Sequence, residues 1–308
     1  MESSPSHKTC ILIPTCPTYK NAALLTVKLL DRYWQTHPPI FICGLQDDET
    51  SAFKSNVTFI DRVSDPLDWI GIALHASRIL QDLGHSRVVL ILDDQGPMDF
   101  CHVQHLDYTI HDWMNKLDAV YIRLQGWDHR RPSQGVSLGK KYLHLQRQEI
   151  DFPWRFSLQP SLWRLDVLIA LLEIVHARAD HTERSPWFFE SEAGRLKKEV
   201  PQEWNGATFR ICGREMTLQR ERGPKRIILD LRDWIIRALH KTTFVPSWRH
   251  FAPIIISLIR PYDCYYSGPY PFHFAGFLRE GKVQSSLLKV LEKRGEHELL
   301  AEILAAAP

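Results

Sequence analysis

Short apolar runs alternate along the first half of the chain with longer stretches whose apolar residues recur every three or four positions. Residues 9–13 read as a buried strand, stopped by Pro14 and Pro17. Residues 21–33 follow as a helix, with Leu24, Leu25, Val27, Leu29 and Leu30 forming a broad apolar side. Residues 40–43 and 57–60 are two further strands, and residues 69–83 a helix carrying Ile72, Ala76, Ile79 and Leu83 on one stripe. Residues 87–92 then give Val88-Val89-Leu90-Ile91-Leu92, apolar on both faces. A strand covered on both sides belongs in the centre of a mostly parallel sheet. The order β-α-β-β-α-β predicts an α/β fold, Rossmann-like and doubly wound, with helices on both faces of the sheet.

Further on, the pattern predicts a helix over 107–117 and a strand over 119–124. Residues 126–139 are rich in charge, Gly and Pro and read as a loop. Residues 162–175 are apolar almost all round, which predicts a buried helix started by Pro160 or Ser161. Beyond Glu190 the character changes. Basic and aromatic residues interleave over 210–266, and 284–305 reads as a helical pair broken at Gly295. No internal repeat is present, so the expected organisation is a core over 1–200 with a helical elaboration over 201–308 packed on the same domain.

Composition narrows the class. The 308 residues are 44% hydrophobic and 24% charged, values of an ordinary globular chain. A formal charge of +2 gives no electrostatic case for nucleic acid as a partner. Cys10, Cys16, Cys43, Cys101, Cys212 and Cys264 are scattered without a C-x-x-C pair, which predicts free thiols in a reducing compartment. The polar start and the lack of an apolar stretch of about 18 residues point to a cytoplasmic protein, compatible with peripheral contact at the inner face of a membrane. Trp234, Trp248 and Phe251 stand beside Arg232, Arg237, Lys241 and Arg249, a mixture that suits either a helical layer on the sheet or a seat for a membrane surface.

Three places carry candidate chemistry. Asp93 and Asp94 end the central strand, where open α/β sheets bind their ligands. Paired hard oxygens there suit Mg²⁺ or Mn²⁺ bridged to a diphosphate, or else they cap a turn. Ser157-Leu158-Gln159-Pro160-Ser161-Leu162-Trp163 reads as a turn into the buried helix. In Ser185-Pro186-Trp187-Phe188-Phe189-Glu190 a carboxylate sits among three aromatics, the setting of a general base, or of a carboxylate at a helix start.

Taken in order, these elements resemble a group of bacterial GT-A-like glycosyltransferases, many of them associated with polysaccharide and cell-envelope biosynthesis. The resemblance rests on Pro14-Thr15 and Tyr19 after the first strand, Trp69, Leu92-Asp93-Asp94, and Tyr121-Ile122-Arg123-Leu124. It continues through Ser157-Leu158-Gln159-Pro160 with Trp163, then Trp187, Phe189 and Glu190, and Arg279-Glu280-Gly281-Lys282-Val283. The chain departs from the group at Gln95-Gly96, where an aromatic is usual, and at Glu280 and Val283 in the late basic stretch.

The resemblance implies a nucleotide-sugar donor and a glycan or lipid-linked acceptor. It places Pro14, Thr15 and Tyr19, and less directly Asp65 and Asp68, against the nucleotide. Asp93 and Asp94 would hold the cation or position the sugar. Gln159 and Trp163 would shape the sugar pocket, and Arg279 and Lys282 would neutralise the diphosphate. Glu190 would deprotonate the acceptor in an inverting transfer, with Asp128 and His129 as the reserve bases. Two other classes stay open from the residues alone. One is a metal-dependent nucleotidyl or phosphoryl transferase using Asp93, Asp94 and Glu190; the other is a degenerate transferase acting as a binding module.

Overall fold

The computed structural model of the protein describes residues 8–53, 56–98, 105–124, 138–140, 143–148, 155–180, 183–196, 198–213, 274–279, 281–284, 287–288, 291–292 and 295–308. The elements come in the order β1 (Thr9–Pro14), α1 (Lys20–Tyr33), β2 (Ile40–Cys43), β3 (Val57–Ile60), α2 (Trp69–Asp82) and β4 (Arg87–Leu90). Then follow β5 (Gln95–Pro97), α3 (Ile110–Lys116), β6 (Tyr121–Arg123), β7 (Leu138–Lys140), β8 (Leu143–Arg147), β9 (Ser161–Arg164) and α4 (Leu165–Arg178). The remainder is α5 (Pro186–Arg195), α6 (Gln202–Gly206), β10 (Thr208–Gly213), β11 (Phe274–Gly276), β12 (Leu278–Arg279), β13 (Lys282–Val283) and α7 (His297–Ala306).

Among the described residues, nine strands form one sheet in the order β3-β2-β1-β4-β9-β6-β10-β8-β7. β1, β2, β3 and β4 are parallel neighbours, and β6 pairs parallel with β10. β9 runs antiparallel between β4 and β6, and the β7–β8 hairpin closes the far edge antiparallel to β10. The protein is therefore a mixed α/β fold with a mostly parallel sheet flanked by helices, the class that its alternation of elements predicts.

Strand alternation divides the core in two. Cys10 and Leu12 of β1 face a cluster with Ile70, Leu80, Leu168, Leu172 and Phe189 from α2, α4 and α5. Ile11 and Ile13 face the opposite cluster, with Val27 and Leu30 of α1, Trp34 just after it, and Trp113 and Met114 of α3. α1 is apolar on a second side as well. Ala22, Leu25, Leu29 and Tyr33 pack there with Phe277, Leu278, Leu287, Leu299 and Ile303. The end of the chain thus folds back onto α1, and Arg32 reaches Glu302 of α7 at 3.2 Å.

Several expectations need correction. Residues 161–164 are a strand, and the helix begins only at Leu165. The run 162–175 satisfies a helical period, but backbone pairing of Leu162 with both Val89 and Ile122 takes its first residues into the sheet. β10, beyond residue 200, lies inside the main sheet. The helical pair at the end is interrupted as expected at Gly295, which takes φ +74°. The segment 126–137, with Asp128 and His129, and the basic-aromatic stretch with Trp234, Trp248 and Phe251 lie outside the described residues. Among the described residues, no helix is long and apolar enough to cross a membrane.

Candidate active site

The parallel strands place their following loops on one edge of the sheet. β4 ends at Leu90, whose register partner is Ser161, the first residue of antiparallel β9. The acid pair therefore leaves the sheet three and four residues beyond the Leu90–Ser161 pair. Leu158 and Gln159 enter it three and two residues before. Neighbouring strands lie about 4.8 Å apart, so the two segments are side by side at the carboxyl edge.

Asp93 is fixed from β1. Its Oδ2 accepts a hydrogen bond from Thr15 Oγ1 at 2.8 Å, and its carbonyl accepts one from Thr26 Oγ1 of α1 at 2.7 Å. Asp93 and Asp94 are both half-buried, with part of their surface open. Burial pushes the Asp94 carboxyl up to about 7. Burial, followed by the neighbouring Asp94 charge, pushes Asp93 well above the usual carboxylate range. Burial and then the same two charges raise the Tyr19 phenol. The pair thus concentrates negative potential at the mouth of β1.

Gly44 sets how closely β2 approaches this place. It takes φ +98°, and a Cβ there would lie 1.9 Å from the Thr15 carbonyl oxygen. No side chain fits between the two backbones. Gly44→Ala is expected to displace the Thr15 turn and with it the hydrogen bond to Asp93, destabilising the fold by several kcal/mol, on the order of 1–2 of them from the left-handed backbone alone. Thermal unfolding checks this; an unchanged Tm would contradict the close approach.

The end of the chain covers the other side of the acid turn. The Phe277 backbone N–H donates to the Asp94 carbonyl at 2.9 Å, and β11 pairs with β5 immediately after the pair. The β12–β13 hairpin then turns at Gly281, φ +75°, where an added Cβ would stand 3.6 Å from the Tyr19 hydroxyl. Lys282 is exposed on this hairpin, and the backbone of Arg279 pairs with it. Gln284 locks the hairpin by donating from Nε2 to the Gly276 carbonyl at 2.9 Å. The Phe277–Asp94 bond and the β11–β5 pairing could not be read from the sequence, because the partners are about 180 residues apart and the contacts are made by backbone.

Glu190 sits on α5, which Ser185 caps by accepting the Phe188 N–H at 3.2 Å and Pro186 opens at its first position. The carboxylate is 7% exposed, and Oε1 accepts the Leu158 backbone N–H at 3.0 Å. Its other oxygen has no hydrogen-bond partner among the described residues. Phe189 is buried against Trp69, with ring centroids 5.9 Å apart, and this anchors the helix. Trp187, expected to shield Glu190 from water, is instead 71% exposed. Next to Glu190 stands Tyr121, whose hydroxyl donates to the Ser157 carbonyl at 2.9 Å and whose phenol is raised by burial above all, with Glu190 contributing. Arg123, the last residue of β6, is a buried cation whose Nη2 donates to Gln159 Oε1. Arg123 stood only as part of a strand in the sequence reading; its position at the end of an apolar strand was the signal available.

Other expected contacts are placed differently. Trp163 is fully buried on β9 between Tyr121 and Phe156, with Nε1 donating to Ser161 Oγ at 2.8 Å, so it supports the edge and cannot touch a sugar. Asp68 caps α2 through the Gly71 N–H at 2.8 Å and pairs with Arg184 at 2.7 Å. Its carboxylate is committed to joining α2 to the start of α5. Asp65 is exposed and accepts the Leu67 N–H at 2.8 Å in a local turn. Pro14 and Thr15 are buried, leaving half-buried Tyr19 as the member of the first-strand group that presents a face. Among the described residues, no group of three or more His, Cys, Asp or Glu side chains could hold a metal ion.

No protein-family profile matches the chain, and no curated protein matches it by sequence. Solved structures with a partial likeness include the galactosyltransferase LgtC in complex with donor and acceptor sugar analogues, at 13% identity over 95% of both chains with a TM-score of 0.39. Another is residues 1–349 of S. aureus TarS with UDP-GlcNAc, at 14% identity, 54% of this chain, 47% of that one and a TM-score of 0.30. A third, from Bacillus anthracis and assigned as a glucose-1-phosphate thymidylyltransferase, was solved with sucrose; it has 15% identity, 64% and 99% coverage and a TM-score of 0.33. Likenesses this distant assign neither a substrate nor a residue's role.

Proposed function

We propose that the protein is a GT-A-like glycosyltransferase that moves a sugar from a nucleotide-sugar donor to a glycan or lipid-linked acceptor. The observation that supports this best is that Glu190 of α5 accepts the N–H of Leu158, three residues before β9, while Asp93 and Asp94 follow the neighbouring strand β4 at the same edge of the sheet. One side offers a carboxylate with an oxygen that no described residue engages, the other two enclosed acids, as an acceptor and a donor diphosphate require of opposite sides of a site.

In this reading Glu190 takes the proton of the acceptor hydroxyl. The acceptor oxygen bonds to the anomeric carbon as the carbon–phosphate oxygen bond breaks, and the nucleoside diphosphate leaves with the electron pair. One base opposite the leaving group gives direct displacement and inversion. Gln159, oriented by Arg123, faces the transferred sugar. Tyr19 lies along the nucleotide, while Arg279 and Lys282 on the hairpin beside it neutralise phosphate.

The donor set fits a hard divalent cation. Two enclosed carboxylates repel one another, and the groups that shift them include no cationic side chain among the described residues. Asp93 and Asp94 would hold Mg²⁺ or Mn²⁺, with the remaining positions filled by phosphate oxygens and water, and the ion would stabilise charge developing on the diphosphate. The test is calorimetric binding of UDP, GDP, ADP, CMP and dTDP with and without Mn²⁺. One nucleotide is expected to bind at least tenfold more tightly with the cation, about 1.4 kcal/mol. Binding of none of them, in either condition, would remove the donor site from this edge.

A further inference from the structure

Trp187 is left without a role by the mechanism above. A tryptophan normally hides most of its large apolar surface, yet this one is 71% exposed on the second residue of a capped, anchored helix. Its position in that helix is informative. Residues three apart on a helix lie on one face, with Cβ atoms about 5–6 Å apart. Trp187 therefore stands one turn above Glu190 on the same side of α5, at the lip where the carboxylate is at depth.

A second exposed apolar group adjoins it. Leu67 is 80% exposed, immediately before Asp68, which pairs with Arg184 three residues before Trp187. The Ile70 N–H also donates to the Arg184 carbonyl. The start of α2 and the segment entering α5 are thus held together, and each carries an exposed apolar side chain, Leu67 and Trp187.

The charge around this lip decides between occupants. Asp65 and Glu183 are exposed on the same two loops, while Arg184 is spent on Asp68 and Arg62 on the Gly44 carbonyl and Glu49. Among the described residues the uncompensated charge here is negative, which repels an anionic membrane surface. A neutral sugar ring is not repelled, and its equatorial hydroxyls hydrogen-bond to carboxylates while its C–H face rests on an aromatic plane.

We propose that Trp187 is the acceptor platform, its exposed indole taking the apolar face of a pyranose ring so that a ring hydroxyl reaches Glu190 one helical turn deeper. This rests on the reading of Glu190 as the base, and it narrows the acceptor to one that presents a pyranose face next to the reacting hydroxyl.

Fluorine NMR of the full chain labelled with fluorotryptophan tests it, the Trp187 resonance being assigned from Trp187→Phe. The probes are methyl glucoside, galactoside, mannoside and N-acetylglucosaminide, each titrated into the tens of millimolar. At least one is expected to shift the Trp187 resonance saturably. Trp187→Ala, at an unchanged Tm, is expected to lose about tenfold or more of that affinity, Trp187→Phe to retain most of it, and Glu190→Gln to leave it within about twofold. No saturable shift with any pyranoside, or equal affinity in Trp187→Ala, overturns the proposal. A resonance that moves only with phosphatidylglycerol–phosphatidylethanolamine vesicles overturns it too, in favour of a membrane contact. Sugar binding at Trp187 together with undiminished turnover by Glu190→Gln would instead break the catalytic reading and leave the sugar site standing.

Discussion

Glu190→Gln is expected to lower turnover by about 10²–10⁴ while donor binding and Tm stay close to those of the wild type. The amide keeps the shape of the side chain, and its oxygen still accepts the Leu158 N–H that Glu190 Oε1 holds at 3.0 Å. What it loses is the capacity to take a proton. Glu190→Ala separates the two roles of the residue. It leaves the buried Leu158 N–H without its partner, which costs about 1–3 kcal/mol of stability in addition to the lost turnover. If Glu190 served only to hold Leu158, the glutamine variant would turn over normally and the alanine variant would differ from it in stability alone. Steady-state kinetics and thermal unfolding on the same preparations distinguish the cases.

The acid pair predicts a pH-dependent stability. Burial raises Asp94 to about 7, so the folded state holds this proton more tightly than the unfolded chain does. The sign follows from that difference. The stabilising contribution is fully present below the ordinary value of 3.8 and is lost as pH rises from there through about 7. Asp93, raised by burial and by Asp94, acts in the same direction. Asp94→Asn removes one charge and relieves the other. The variant is therefore expected to be more stable than the wild type at pH 8, on the order of 2 kcal/mol, and about equal to it at pH 4. Mn²⁺ is expected to raise the wild-type Tm at pH 8 and to do little for the variant. An Asp94→Asn protein less stable at pH 8 would make the pair a structural cap rather than a ligand-ready site.

The main sheet was legible because its strands are buried on both faces and separated by helices of ordinary period. Residues 40–43 and 57–60 form strands with the bounds that the pattern predicts. β9 was not legible. Leu162, Leu165, Leu168 and Ile169 fit a helical stripe, and Arg164 at the helix start makes no side-chain cap, so no local signal marks the change at Leu165. Only pairing with β4 and β6, far apart in sequence, decides it. The same limit applies to the site. Asp93, Asp94 and Glu190 stood out by their apolar surroundings, which also suggested that Trp187 is shielded, while the resemblance alone placed Trp163 against a sugar. The structure exposes Trp187 and buries Trp163, because exposure depends on which elements cover a residue, and Tyr121, which covers Trp163, is supplied from elsewhere in the chain.

The most direct test of the central claim is the identity of the phosphorus product. The protein is incubated with Mn²⁺, a mixed glycan acceptor pool and each nucleotide sugar in turn, and the reaction is followed by phosphorus NMR. Glycosyl transfer predicts accumulation of a nucleoside diphosphate, or a monophosphate from a CMP-sugar, with one donor, abolished in Glu190→Gln. Release of pyrophosphate when a sugar 1-phosphate and a nucleoside triphosphate are supplied instead, with no nucleoside diphosphate from any nucleotide sugar, would contradict it.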